Sequence, residues 1–222
     1  MKLSITYLLQ LNELPLEHRV HFFPQELIYL LFLCILLLAV VKILHPDFLQ
    51  HLIKKTFVSH LEKKGFGQET NRIKNAALLL NLNYFLSASV ITFMLLTYFK
   101  VELVWLVVFI PIIFFFYLHL TLKLTGIITG ESQKLISNHN LITFSHQLTG
   151  IILVPLGFIW YLNISYSTYL VQVIGMIFAL IFLHRIIKGI RLAYENNIAL
   201  YYIILYFCTL EIWPLAFLYV IT

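Results

Sequence analysis

Glu211 is the one carboxylate of this chain set well inside an apolar run, the stretch Ile198–Ile221. An ionisable group in hydrocarbon costs about 2.5 kcal/mol or more unless it is paired or neutralised, so such a position bears on function. Counting about 1.5 Å per helical residue from the end of the run places it roughly 10 Å below one membrane surface. Gln172 and Ser89, in two other apolar runs, come out at a similar depth. Pro111, Pro155 and Pro214 fall near the same height, and a proline inside a helix leaves a carbonyl one turn earlier without its donor. A ring of polar groups at one level could bind a cation, relay a proton or hold a polar head-group. The structural alternative is a protonated carboxyl that hydrogen-bonds across helices and fixes their register.

A second polar level gathers toward the opposite edge: Asn81 and Asn83, His119, Ser145, His146 and Gln147, then His184 and Arg185. Histidines on facing helices at one depth are what bis-imidazole haem ligation needs. Histidine and asparagine also serve as interfacial hydrogen-bonding groups, and the count places these imidazoles close to head-group level. No cofactor and no metal are expected. There is no His-Glu-x-x-His, nucleophile elbow, Walker loop, paired catalytic carboxylates or dinucleotide-binding glycine pattern. His45-Pro46-Asp47 and Glu195-Asn196-Asn197 read as helix caps.

The elements that must carry these residues are six apolar stretches, Leu27–Leu44, Ala76–Phe99, Leu103–Leu122, Leu141–Tyr161, Tyr166–Leu183 and Ile198–Ile221. Each is long enough to cross a hydrocarbon core of about 30 Å as a helix. With 61% hydrophobic and 11% charged residues and a mean hydropathy of +0.91, the 222-residue chain is too apolar for an ordinary soluble domain. No strand alternation is visible, so the fold class is an all-α polytopic bundle of six transmembrane helices. Lys42, Lys54, Lys55, Lys63, Lys64, Arg72, Lys74, Lys123, Lys134, Arg185, Lys188 and Arg191 fall on one side, twelve of the fifteen basic residues. Lys2, Arg19 and Lys100 fall on the other. Such asymmetry orients the bundle with both termini outside and three basic loops in the cytoplasm. The net charge of +5 is therefore topological, and no nucleic-acid partner is expected.

Residues 1–25 read as an outer-face, periplasmic arm, and 26–222 as a single transmembrane domain. Leu3–Leu11 is too short for a cleavable signal, and the first span serves as the uncleaved one. Cys34 and Cys208 lie in apolar spans as small hydrophobes. Within the long connection at about 47–75, Phe48, Leu49, Leu52, Ile53, Phe57 and Leu61 share one helical face and Lys54, Lys55, Ser59, Glu62 and Lys63 the other. A basic amphipathic helix of this kind either lies on the anionic inner leaflet or packs on the bundle's own loops. Phe99-Lys100-Val101-Glu102 reads as a tight hairpin, as does Leu162–Ser165. Pro111 and Pro214 both fall toward the outer leaflet, which argues against an inverted three-plus-three repeat.

Two resemblances add to this reading. Ser145-His146-Gln147-Leu148-Thr149-Gly150 is similar to the Ser/His-Arg-x-Ser-Gly signature of the cytochrome b subunit of succinate:quinone reductases. Gln147, however, replaces the arginine, and that subunit has three spans. More broadly, the chain resembles a bacterial inner-membrane family found mainly in Bacteroidota, domain of unknown function number 4271. The likeness rests on the basic amphipathic segment, Leu78-Leu79-Leu80-Asn81, Thr149-Gly150-Ile151-Ile152-Leu153-Val154-Pro155-Leu156 and the ending Ile204–Leu215, where Glu211 and Pro214 belong to the motif. It implies a multi-pass protein of a Gram-negative inner membrane and supplies no activity. The leading expectation is a non-enzymatic accessory or scaffold subunit in envelope biogenesis or transport, with anionic lipid and other envelope proteins as partners. The alternative is a small carrier or flippase using Glu211, and a haem or quinone redox subunit ranks below both.

Overall fold

The computed structural model describes residues 23–57, 71–101, 108–130 and 132–195. The expected outer arm up to residue 22, Glu211 and the whole sixth apolar stretch lie outside them. Among the described residues there are six α-helices: α1 (Glu26–Leu44), α2 (Phe48–Phe57), α3 (Asn71–Tyr98), α4 (Ile110–Thr129), α5 (Ser132–Leu162) and α6 (Ser167–Glu195). All but α2 are long and apolar enough to cross a membrane. No strand occurs among the described residues.

Long helices that follow one another along the chain alternate in direction. Leu31 of α1 lies against Gly157 of α5, while Val41, ten residues on, clusters with Leu148 of α5 and with Ala76 and Leu80 of α3. The α1 chain therefore runs against both. α3 and α5 run together, since Ala77 and Asn81 meet Gln147 and Tyr84 meets Gly150. The α5–α6 link is a 3-10 turn, Ile164–Tyr166, that reverses the chain within a few residues. As a result Lys42, Lys54, Lys74, Lys123, Arg185, Lys188 and Arg191 gather toward one end of the bundle, here the basic end, and Lys100 lies at the other.

In lipid, helices gain little from apolar burial against one another, so close packing and small residues decide where they meet. Gly150 shows this best: a Cβ there would lie 2.6 Å from the Tyr84 Cα, so only glycine lets the two backbones come so near. In the half away from the basic end the core is apolar and aromatic, with Leu31, Ile91, Met94, Leu153 and Trp160 almost wholly buried. Trp160 meets Phe23 edge to face at 5.9 Å, and its indole N–H donates to the Ser167 hydroxyl at 3.1 Å.

The third long helix to cross the bundle runs from Ile110 to Thr129, and residues 102–107, where the third expected stretch begins, lie outside the described residues. Pro111 thus occupies the first helical turn, where no donor is needed, so it frees no carbonyl for the outer polar level. Gly130, left-handed at φ 71°, ends the helix. Of the expected Phe99–Glu102 hairpin, the described part, up to Val101, forms a tight cap. Lys100 takes φ 57°, with the Val101 N–H donating to the Leu96 carbonyl and that of Lys100 to Thr97.

The amphipathic α2 packs against the bundle's helices. Phe48 and Leu52 join the Val41, Ala76, Leu80 and Leu148 cluster, and the buried Thr56 carbonyl accepts from Lys188 and from His184 Nε2 (2.9 Å), both of α6. Ile53 and Lys54 remain exposed. Residues 58–64 of the expected helix lie outside the described residues.

Candidate functional site, a polar belt inside the bundle

The outer polar level does not come together among the described residues. Ser89 spends its hydroxyl hydrogen on the Val108 carbonyl at 2.7 Å, joining α3 to the segment before α4. Gln172 is exposed on α6. Pro155 lies inside α5, so the Ile151 carbonyl has no intrahelical donor from it.

The inner level does form a belt, and it sits well inside the bundle. At about 1.5 Å per residue, Asn83, His119, Gln147 and Arg185 lie roughly 10–14 Å from the basic ends of their spans. Gln147 is fully buried, and its Nε2 donates to the Ala77 carbonyl (3.1 Å) and to Asn81 Oδ1 (2.9 Å). These bonds lock α5 to α3 one turn below the Gly150–Tyr84 contact. His146 Nδ1 donates to the Ile142 carbonyl, 2.7 Å away on its own helix, and the ring stands edge-on to Tyr84 at 4.8 Å and to Phe115 at 5.3 Å. His119 stacks on the opposite side of the aromatic group, 4.1 Å from Phe115. Its Nδ1 donates to the Phe115 carbonyl (2.9 Å) and its Nε2 pairs with the Thr143 hydroxyl (3.0 Å). Arg185 is buried, with its guanidinium 5.8 Å from the Phe182 ring, and its charge reaches Tyr84, His119 and His146.

The three histidines do not face a common centre. Phe115 touches the rings of both His119 and His146, both His119 nitrogens are engaged, and His184 turns to Thr56. A bis-imidazole iron needs two such nitrogens with free lone pairs converging on one point, and this donor set does not offer them. Among the described residues no group of three or more histidine, cysteine or carboxylate side chains is arranged to hold a metal.

Some polar atoms of the belt have no partner among the described residues, and Asn83 has the most. Asn83 is fully buried, and neither its amide nitrogen nor its oxygen has a hydrogen-bond partner. Ser145 Oγ and Gln147 Oε1 are likewise without one. A buried amide left unpaired costs about 1–3 kcal/mol, so Asn83 stands out in a bundle that satisfies most of its polar groups.

His139, Thr143 and Lys188 also prove to be part of this arrangement, and the sequence reading did not single them out as site residues. His139, Thr143 and His146 fall at i, i+4 and i+7, one face of a helix, which was the available signal. Lys188 follows Arg185 by one turn, but its charge was read only as topology.

Five helices long and apolar enough to cross a membrane, packed around a hydrogen-bonded polar belt, define an all-α bundle compatible with a membrane protein. The chain belongs to the family described as Domain of unknown function (DUF4271), whose model matches residues 27–221. Neither the curated proteins nor the solved structures hold a match to it.

Proposed function

We propose that this chain is a non-enzymatic accessory subunit of the inner membrane, with six spans, both termini outside, and a role in holding other envelope or transport proteins in place. The observation behind the reading is how the polar side chains of the belt are used. Gln147 and Asn81 tie α3 to α5, His119 and Thr143 tie α4 to α5, and His184 and Lys188 tie α2 to α6. Groups spent on fixing helix positions give a rigid bundle with a defined outer surface, which is what a scaffold requires. Anionic inner-leaflet lipid is the proposed lipid partner, met by the exposed Lys54 and Ile53 of α2.

The test is cross-linking in native membranes followed by purification in mild detergent. The accessory reading expects one membrane protein in stoichiometric amount, cross-linked to one face of the bundle. A chain that stays unaccompanied, and alone moves a solute or lipid across proteoliposomes, would overturn it. Orientation is checked separately. A reporter active only outside the cytoplasm, fused after residue 222, is expected to be active, whereas activity of a cytoplasm-only reporter there would remove the six-span scheme.

The unpartnered amide of Asn83 favours a second reading, a small carrier whose polar species is handled inside the bundle. In that reading Glu211 acts as a proton or cation site. Glu211→Gln, matched for membrane abundance, should then fail to complement a deletion strain, while the accessory reading expects it to complement.

A further inference from the structure

Two imidazoles touch near the basic end of the bundle. His119 of α4 meets His139 of α5 edge to face, with ring centroids 4.5 Å apart. His119 Nδ1 lies 2.9 Å from the Phe115 carbonyl and Nε2 lies 3.0 Å from the Thr143 hydroxyl. That same hydroxyl lies 3.1 Å from the backbone carbonyl of His139. Counting hydrogens limits the states available. A carbonyl only accepts, so Nδ1 of His119 carries a hydrogen, while Thr143 has a single hydroxyl hydrogen to give. If that hydrogen points at the His139 carbonyl, the hydroxyl oxygen can only accept from Nε2, and His119 must be an imidazolium. If it points at Nε2, His119 is neutral and the carbonyl loses this bond. Both contacts of the hydroxyl are hydrogen bonds at once only when His119 is charged.

We infer that His119, Thr143 and His139 form a proton-binding site open to the aqueous phase at the basic end. A hydronium or buffer acid at that end gives up one proton, which becomes the Nε2–H of His119. The Thr143 hydroxyl then swings its hydrogen from Nε2 to the His139 carbonyl. His139 is exposed at the second residue of its span and brings water to the edge of His119. The groups acting on His119 are His139 and His146 from α5 and Arg185 from α6; Lys123 follows one turn along α4, and Tyr84 of α3 meets Phe115. The three carboxylates among the described residues, Glu26, Asp47 and Glu195, are exposed. Two charged imidazoles in contact repel, so the pair takes up one proton and not two.

The experiment uses the full chain, with its histidines labelled by nitrogen-15, in lipid nanodiscs. Imidazole spectra are followed from about pH 8 down to the lowest pH at which the chain stays folded, and the His119 signals are assigned by their loss in His119→Gln. His119 should pass from the Nδ1–H neutral tautomer to the doubly protonated ring as the pH falls through that span. Thr143→Val keeps the shape but not the hydroxyl, and should displace the midpoint by about one pH unit, from the worth of one charge-assisted hydrogen bond. Thr143→Ser should restore it. A wild-type His119 that keeps one neutral tautomer throughout overturns the proposal without any variant. So does a midpoint that is the same in properly folded Thr143→Val.

Discussion

The two ends of this bundle are held by different means. Away from the basic end, Trp160, Met94, Ile91, Leu153 and Leu31 fill the interior, and the side-chain hydrogen bonds between segments there include Trp160 to Ser167, Tyr98 to Thr168 and Ser89 to Val108. Toward the basic end, Gln147, His119, His146, Arg185 and Lys188 occupy the interior beside a smaller apolar cluster. Packing alone suffices to hold helices together in lipid, where apolar side chains meet a solvent as apolar as themselves. A polar interior therefore specifies something that packing does not: which helix faces which, and where a charge or a polar ligand can be held. The difference separates a half that gives stability from a half that gives specificity, and it sets what each substitution should do.

The largest loss is expected in the apolar half. Trp160→Ala removes the largest fully buried side chain and its contacts with Phe23 and Tyr98. Truncations of this size cost about 3–5 kcal/mol in well-packed interiors. Unfolding in mixed micelles of increasing dodecyl sulfate fraction should register it. A loss under about 1 kcal/mol would mean that this half is loosely packed and that the comparison has no basis.

Gly150→Ala comes next, and it tests the border between the two halves. The added methyl meets the Tyr84 backbone, which cannot rotate away, so α3 and α5 must separate. Overpacking of this kind costs about 1–3 kcal/mol. At Gly157 the added atom would meet the end of the Leu31 side chain at 2.8 Å, which can turn aside. Gly157→Ala should thus cost less in the same assay, and equal losses would show that backbone approach is not what makes Gly150 special.

How much of this was open to sequence reading depends on whether a feature is local. Five of the apolar lengths coincide with helices, within one residue at half of their ends and by five to twelve residues at the others, because hydrophobic length needs no partner to be read but polar helix extensions do. The start of α4 at Ile110 has little signal in the sequence, because Leu103–Phe109 is as apolar as the helix itself and only Pro111, as a first-turn residue, marks it. The inner polar level was legible as a set of residues at one depth. Which residue meets which was not, since the same depth fits many rotations of six helices. Gln147 was noticed as the replacement for an arginine, but its bonds to Asn81 and Ala77 depend on α3 and α5 running side by side in the same direction. The outer level failed to assemble among the described residues for the matching reason: Ser89 and Gln172 share a height but not a direction.

Gln147→Leu probes the polar half directly. It removes two bonds between α3 and α5 while preserving much of the volume. Interhelical hydrogen bonds in membrane proteins average about 0.6 kcal/mol and reach about 1.7. The unfolding loss should fall in that range, below those of Trp160→Ala and Gly150→Ala. Asn81→Leu should cost no more, and the double variant should lose less than the sum, since the two residues share one bond. Strict additivity would show that the bond is not a working tie.

Asn83→Leu has the smallest expected effect on stability and the most to say about what the polar half is for. Asn83 is fully buried with both amide atoms unpaired, so leucine removes a desolvated amide at nearly constant volume. Replacing an unsatisfied polar group by an apolar one of the same shape is close to neutral or slightly stabilising. If the belt only fixes helix positions, Asn83→Leu should match or exceed the wild type in resistance to unfolding and complement a deletion strain fully. A variant that is as stable as the wild type yet inactive would mean that the amide meets something the bundle itself does not supply. The accessory reading would then give way to the carrier, with Asn83 as the first residue placed in its path. A variant that is markedly less stable would say that the amide has a partner within the folded chain and that the polar half is more fully satisfied than its geometry indicates. Stability and complementation measured on the same variant therefore separate the three cases, and the accessory reading commits to the first.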